Sequence, residues 1–388
     1  MNTMPRNLSF LIDVKGDMCR IGYMKIISHI LAPNKTLPPE PLSERLETLS
    51  VDNSNPRWEN LMEQEELQNG LSKTMMIPKG TAKSYVEFAE LLKIYSSFDH
   101  SLISNGIVLS NLLNLGLNTD FFQTHTNPLV LTNLEKIFFW NIFLEEDSAP
   151  LFILMNYIIT KNNICTRSEL MGCLMETPDG YKNFLQGMID NPDTDWDSRT
   201  KAVSRLQTVD DFAQNRQDSQ DKGEWNLTEQ YALYRHFADP RIQWLVDLGF
   251  LKKEGRSGFR LTLVANDIFT IFSNYKNDEN YNPFIELCQL FIENPRPVSD
   301  EEIKEQILNS YDGLTKGGTS TTKKSLLYSA VVYSLLNSGS IIGHEKVITL
   351  VDKLQQEHPN CIYESVDYDG NPTFIHITTD EFREEYGL

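Results

Sequence analysis

The chain has 388 residues, of which 40% are hydrophobic and 23% are charged. This length exceeds what one hydrophobic core usually organises and therefore predicts two or three domains. No run approaches the roughly 18 apolar residues of a membrane span, and charged residues from Asp13 to Arg20 break the pattern of a secretory leader. We expect a soluble, cytoplasmic protein that does not contact a membrane.

The net charge is -19, from 54 acidic and 35 basic residues. A field of this sign repels the phosphates of nucleic acid at long range, unless lysines and arginines are gathered on one surface. Nucleic-acid binding would therefore depend on a local basic patch or on a basic partner.

Five cysteines are scattered along the chain, at Cys19, Cys165, Cys173, Cys288 and Cys361. Their odd number and wide spacing are not those of a disulfide framework, so we expect reduced thiols in the core. A zinc site needs four ligands at usable spacing, and the closest pair, Cys165 and Cys173, has no second pair to complete it. The sequence therefore predicts no metal and no cofactor.

Residues 1–83 are predicted to form an N-terminal segment and arm. Prolines at 33, 38, 39 and 41 interrupt the helical pattern after His29 and predict a connecting loop. The acidic stretch at 55–68 that follows has the composition of a surface helix.

Residues 84–148 have the pattern of a first winged-helix-like domain, a small helical core closed by a β-hairpin. Apolar residues at helical spacing predict helices at 84–92 and 101–116. An extended stretch at 129–131 precedes Thr132, which forms the pattern of a capping box with Glu135.

The same order of elements returns in residues 149–280. Thr166 and Glu169 form a second capping-box pattern, and a long polar excursion at 191–223 separates it from the next helix. We predict a second winged-helix domain here, with the polar excursion as an insertion.

The hairpin of this second domain is the sharpest local signal in the sequence. A helix that ends at Gly249 leads into a strand at 250–251, and a returning strand is predicted at 259–263. Gly255 and Gly258 lie in the turn, where we expect both to supply positive φ. The hairpin should project from a helical body as an exposed wing.

Residues 281–388 are predicted to form a C-terminal helical domain with a terminal hairpin. Helices are expected at 300–310, 324–337 and 345–357, and Asp369-Gly370 predicts a two-residue type I′ turn between two strands. The predicted fold class is mainly α, with tandem winged-helix domains and small β-hairpin wings.

Two patterns suggest catalysis, and each lacks a required part. Asp13-Val14-Lys15 is similar to the carboxylate-x-lysine strand of metal-dependent nucleases, but no acidic residue precedes it to hold the cation. Gly313 to Ser320 is similar to a phosphate-binding loop, but Thr319 stands where the lysine should be. We therefore predict that the chain is not an enzyme.

Six basic residues cluster around one helix and its hairpin in this otherwise acidic chain. They are Arg235, Arg241, Lys252, Lys253, Arg256 and Arg260. In a nucleic-acid-binding interpretation the helix contacts the bases and the hairpin residues hold the backbone. In the alternative interpretation the same residues solvate the hairpin or dock an acidic partner, and composition alone does not separate the two.

Residues 84–269 resemble the tandem winged-helix recognition region of type IIS restriction endonucleases. The stretches that carry the resemblance are 115–170 and 244–262, the latter reading WLVDLGFLKKEGRSGFRLT. The resemblance implies a specificity subunit that binds double-stranded DNA beside a protein partner carrying the catalytic activity, for example in a prokaryotic defence or restriction complex. This chain departs from the family at Leu134, where a glycine is expected, and in its acidic charge. A winged-helix scaffold that binds only proteins is the alternative.

Overall fold

The structure is a computed structural model, and it describes residues 9, 11, 13–16, 18–32, 35–52, 80–112, 129–176, 181–192, 194–218, 229–255, 258–278, 280–315, 321–367 and 370–386. Within these residues the protein is mainly helical, as predicted, and its strands form small antiparallel sheets. The predicted surface helix at 55–68 and residues Gly116 and Arg256 lie outside the described residues.

In the first half of the chain, the described residues form helices, one short hairpin and a short strand, β3, that pairs with a strand further along the chain. Its elements are α1 (Tyr23–Leu31), α2 (Pro39–Asp52), α3 (Thr81–Leu91), β1 (Tyr95–Ser96), β2 (Ser101–Leu102), α4 (Ser104–Leu112), α5 (Asn133–Glu146), α6 (Ser148–Lys161), β3 (Cys165–Thr166), α7 (Arg167–Glu176), α8 (Tyr181–Asp190) and α9 (Trp196–Asp218).

The second half contains two longer hairpins between helices. Its elements are α10 (Glu229–Asp247), β4 (Leu251–Glu254), β5 (Gly258–Leu261), α11 (Ala265–Asn277), α12 (Phe284–Phe291), α13 (Asp300–Thr315), β6 (Thr322–Lys323), α14 (Lys324–Asn337), α15 (His344–Glu357), β7 (Ile362–Val366), β8 (Pro372–Ile377) and α16 (Thr379–Tyr386).

The chain divides into two compact units. Unit 1 comprises Met1–Ile27, Pro38–Leu92 and Phe122–Pro283, and unit 2 comprises Ser28–Leu37, Lys93–Phe121 and Phe284–Leu388. Neither unit coincides with one of the four predicted segments, because the predicted segment 84–148 is divided between the two. Each unit gathers residues that are distant in sequence, whereas the predicted segments follow chain order.

One order of elements occurs in both units: a helix, a short strand, two helices and a hairpin. In unit 1 it runs α6, β3, α7, α10, β4 and β5, with α8 and α9 inserted between α7 and α10. In unit 2 it runs α13, β6, α14, α15, β7 and β8. In both sheets the short strand pairs with the second hairpin strand, which gives the orders β3-β5-β4 and β6-β8-β7. We name residues 148–261 the first module and residues 300–377 the second module.

Both predicted capping boxes are confirmed. The Thr132 hydroxyl accepts a hydrogen bond from the backbone N–H of Glu135, whose carboxylate accepts one from the N–H of Thr132 at 2.7 Å. Thr166 and Glu169 make the same reciprocal pair at the start of α7. Each box satisfies backbone donors that a helix start otherwise leaves unpaired.

The structure corrects two local predictions in unit 1. Residues 129–131 do not form a strand, because the carbonyl of Val130 accepts a hydrogen bond from the Lys25 side chain at 2.7 Å instead of pairing in a sheet. The predicted proline-rich loop also contains the start of α2, with Pro39 and Pro41 in its first turn. Proline is tolerated there because amide hydrogens of the first turn have no partner within the helix.

All five cysteines are free thiols, and all except Cys19 are buried. This agrees with the prediction of reduced thiols in the core. Burial raises the pKa of the Cys173 thiol to about 12, so this sulfur is fully protonated at neutral pH and is a poor nucleophile.

Candidate interaction surfaces

The hairpin of the first module, which we name the basic hairpin (251–261), forms close to its predicted position. It follows α10 and Gly249, whose φ of 81° ends the helix. Lys252 pairs in register with Arg260, and the side chains of Lys253 and Arg260 are exposed. A hairpin with charged side chains directed to solvent can contact either phosphate or an acidic protein surface.

The two glycines of this hairpin are required for different reasons. Of the positive φ predicted at both, the value at Gly255 is confirmed and the one at Gly258 is wrong. Gly255 has a φ of 65°, as expected for the turn. Gly258 does not have positive φ; instead, a Cβ atom there would lie 2.6 Å from the Glu254 carbonyl oxygen and 2.9 Å from the Ile164 side chain. The close approach of Ile164 therefore excludes a larger residue and places this isoleucine over the sheet.

The predicted cluster of basic residues does not form one surface. Lys252 is half-buried and Lys253 is exposed, and neither makes an ion pair within the part of the chain that the structure describes. Arg260 is exposed but forms an ion pair with Glu254 at 2.9 Å. For Arg235 only the helical backbone is described, in α10, and Arg256 lies outside the described residues.

Arg241 contradicts its predicted role, because its side chain is completely buried. Its Nε and Nη2 atoms donate to the two carboxylate oxygens of Asp147 at 2.8 and 2.9 Å. Nη1 donates to the carbonyl of Phe237 at 2.9 Å, and Nη2 also donates to the carbonyl of Leu11 at 2.8 Å. Because the guanidinium donates to these acceptors inside the core, it cannot contact a phosphate.

Asp147 is the counterpart of Arg241 and was not identified from the sequence. It is completely buried, and its Oδ1 atom also accepts a hydrogen bond from the backbone N–H of Leu11 at 2.9 Å. Burial raises the pKa of this carboxyl, while Arg241 and the Leu11 amide oppose the rise. The pair therefore joins α10 to the N-terminal residues of unit 1 through desolvated charges.

Trp244 occupies the centre of the same buried face of α10. Its ring lies between Phe88 and Phe143, with ring centroids 5.0 and 4.8 Å away, and its Nε1 atom donates to the carbonyl of Met18 at 2.6 Å. Asp247, at the end of α10, accepts from the backbone N–H of Ile21 at 3.1 Å. Along 237–247, where its side chains are described, α10 is therefore a core helix.

The second module presents an acidic surface on α15 and the hairpin that follows it, in contrast to the basic hairpin of the first module. Buried residues of α15 lie on one side, and the opposite side exposes Glu345, Ile348 and Asp352. The strand β7 exposes Tyr363, at 47%, and Val366, at 61%. We name these five residues the acidic face.

The lysines around the acidic face are engaged with carboxylates. The pairs are Lys346 with Asp300 at 2.7 Å, Lys353 with Glu357 at 3.8 Å and Lys324 with Glu364 at 2.5 Å. Charge on this side of the second module is therefore locally neutralised or negative, which does not favour a phosphate backbone.

The terminal hairpin is present, and Asp369 of its predicted two-residue turn lies outside the described residues. The backbone N–H of Asp367 donates to the carbonyl of Asn371 at 2.9 Å, so three residues rather than two connect the bonded pair. Gly370 has a φ of 84°, and the register shifts at Ser365/Val366.

Of the two catalytic patterns considered from the sequence, the first has its charged residues paired with other side chains, and most of the second lies outside the described residues. Asp13 forms an ion pair with Lys201 at 3.0 Å, and Lys15 forms one with Glu87. Gly313 lies in α13, and 316–320 lie outside the described residues. Among the described residues no three His, Cys, Asp or Glu side chains are grouped as metal ligands would be. None of the described helices is both long and apolar enough for a bilayer crossing.

Comparison of the chain with protein-family models, with curated proteins and with solved structures gives no significant match.

Proposed function

We propose that the chain is a non-catalytic scaffold that binds other proteins through two winged-helix modules. The order of elements in both modules supports this architecture: a helix, a short strand, two helices and a hairpin whose second strand pairs with the first short strand. Of the two inserted helices in the first module, α9 lies within the polar excursion expected at 191–223, and α8 precedes it.

The burial of α10 favours a protein over a nucleic acid as the partner. In helix-turn-helix DNA recognition, the second helix of the motif lies in the major groove and its side chains contact base edges. The corresponding helix of the first module is α10, where Arg241 and Trp244 are fully buried. Residues 237–247 of α10, the part whose side chains are described, lie in the core of unit 1 and therefore cannot contact base edges.

The second module supports the same choice. Its corresponding helix, α15, has one exposed side, where carboxylates lie beside Ile348. The adjacent strand exposes Tyr363 and Val366. Exposed aromatic and aliphatic side chains rimmed by charge are typical of protein interaction sites. We propose that the acidic face binds a partner with a basic, partly apolar surface.

The acidic face can be tested with the full chain, tagged and expressed in its native cells. The Ile348→Lys/Val366→Lys variant should lose at least one protein that the wild type retains, because it removes two apolar anchors and adds two like charges facing a basic partner. Quantitative mass spectrometry of the purified complexes measures the loss. Direct titration of the identified partner with both purified chains should show at least a tenfold weaker affinity.

Val203→Lys is the matched control, because Val203 is an exposed valine of α9 in unit 1, at 49%. It should retain the same proteins as the wild type. Equal retention by all three chains would refute a binding role for the acidic face.

A second candidate function is duplex binding by the basic hairpin, the function that the sequence resemblance implies. It is favoured by one observation: Lys253 is exposed and Lys252 half-buried, without ion pairs to described residues. In this alternative the two lysines hold the phosphate backbone and the bases are not read by α10.

A further inference from the structure

The basic hairpin and the acidic face carry opposite charge on one chain. Among the described residues, the basic hairpin has Lys252, Lys253 and Arg260, of which Arg260 is paired with Glu254, whereas the acidic face has the exposed carboxylates of Glu345 and Asp352. The first segment belongs to unit 1 and the second to unit 2. Within an acidic chain, the basic hairpin is thus the surface most complementary to the acidic face.

Both surfaces also expose apolar side chains that need a partner. Beside the basic hairpin, Leu263 is 99% exposed and Ile164 is 45% exposed, and Ile164 lies over Gly258 of the same sheet. On the acidic face, Val366 and Tyr363 are exposed, and the Tyr363 ring also stacks on His376 with ring centroids 4.5 Å apart. Apolar anchors surrounded by charge are the usual composition of a specific interface, since the anchors supply affinity and the charges supply register.

The two hairpins also end their sheets in the same way. The strand β4 is the outer strand of the order β3-β5-β4, and β7 is the outer strand of the order β6-β8-β7. An outer strand has one row of backbone groups that its own sheet does not pair, and this row can be covered by another chain. Lys252 and Lys253 lie on the first of these strands, and the exposed residues Tyr363 and Val366 lie on the second.

We infer that the occupant of the acidic face is the basic hairpin of a second copy of this chain. This inference rests on the proposed function, because it uses the same acidic face and names its partner. The contact is heterologous, joining two different surfaces, so a pair of copies in contact keeps one acidic face on one copy and one basic hairpin on the other. Such a contact produces head-to-tail chains or a closed ring rather than a simple two-fold dimer.

The inference is tested by sedimentation velocity and light scattering on the purified full chain. The average mass of the wild type should rise with concentration at physiological ionic strength, where a Debye length of about 8 Å screens the long-range repulsion between two chains of charge -19 more than the close contact. A wild type that stays monomeric at every concentration and salt would overturn the inference.

Two variants separate the surfaces. Lys252→Glu/Lys253→Glu removes the basic hairpin's charge, and Ile348→Lys/Val366→Lys removes the acidic face's anchors. Each variant alone should remain monomeric, since it lacks one half of the contact. An equimolar mixture should form particles of twice the monomer mass and nothing larger, because only one contact can form between the two variants.

The control is Lys35→Glu/Lys83→Glu, which makes the same change in charge at two other exposed lysines. It should associate as the wild type does. Assembly of either surface variant to the wild-type extent would overturn the inference, whichever result the control gives. The proposed function is tested separately from this inference. If the Ile348→Lys/Val366→Lys variant no longer retains some other protein, the proposed function is supported even when the chain itself is monomeric.

Discussion

The Arg241→Leu variant is expected to lose about 3 to 5 kcal/mol of unfolding free energy. The substitution leaves the Asp147 carboxylate completely buried without its countercharge and removes the donors to the carbonyls of Phe237 and Leu11. A buried charge without a partner costs far more than the pair contributed, because its desolvation is no longer compensated. Urea unfolding followed by far-UV circular dichroism and by tryptophan fluorescence measures the loss.

Lys182→Leu is the matched control for this measurement. Lys182 forms an ion pair with Asp210, but both side chains are more than half exposed. Solvent screens such a pair, so its removal should cost under about 1 kcal/mol. If Arg241→Leu is as stable as Lys182→Leu, then Arg241 is not buried in the folded protein and its proposed role in DNA contact returns.

The Trp244→Ala variant should lose about 3 to 5 kcal/mol of unfolding free energy as well. The substitution empties the space between the Phe88 and Phe143 rings and leaves the Met18 carbonyl without its donor. This side chain packs four separate parts of unit 1 together, so little of the cavity can collapse. The same urea titration measures the effect.

Trp244→Phe separates the ring packing from the hydrogen bond. It keeps an aromatic ring but removes the Nε1–H donor and part of the ring volume, so we expect an intermediate loss of about 1 to 3 kcal/mol. A Trp244→Ala variant no less stable than Trp244→Phe would contradict the central position of Trp244 in the core.

Local features could be predicted from the sequence because nearby residues determine them. Thr132 and Thr166 each lie three residues before a glutamate, and this spacing alone is sufficient for a capping box. The basic hairpin follows equally from Gly249, Gly255 and the strand residues between them. The overall helical character and the positions of α13, α14 and α15 follow from apolar spacing.

The role of Arg241 could not be read from its neighbours, because Asp147 and Leu11 are distant in sequence. One signal was available. Phe237, Arg241 and Leu245 recur every four residues, so Arg241 lies within the apolar stripe of its helix rather than on the polar side. An arginine in such a stripe is better explained by a buried ion pair than by exposure to a ligand.

The division into units was also beyond the sequence. Residues 93–121 belong with the C-terminal residues in unit 2, while 122–148 belong to unit 1. Apolar periodicity identifies helices but not the partners against which they pack, so a segment that looks continuous along the chain can be shared between two cores.

The central claim is that the modules bind protein rather than nucleic acid, and titration of a fluorescent DNA duplex with the purified wild type tests it most directly. The anisotropy should show no saturable binding at low ionic strength, even at concentrations well above the roughly 1 to 100 µM range of dissociation constants typical of nonspecific DNA binding. Saturable binding that weakens steeply with salt, and that is reduced for every sequence in Lys252→Glu/Lys253→Glu, would contradict the account and assign the basic hairpin to DNA.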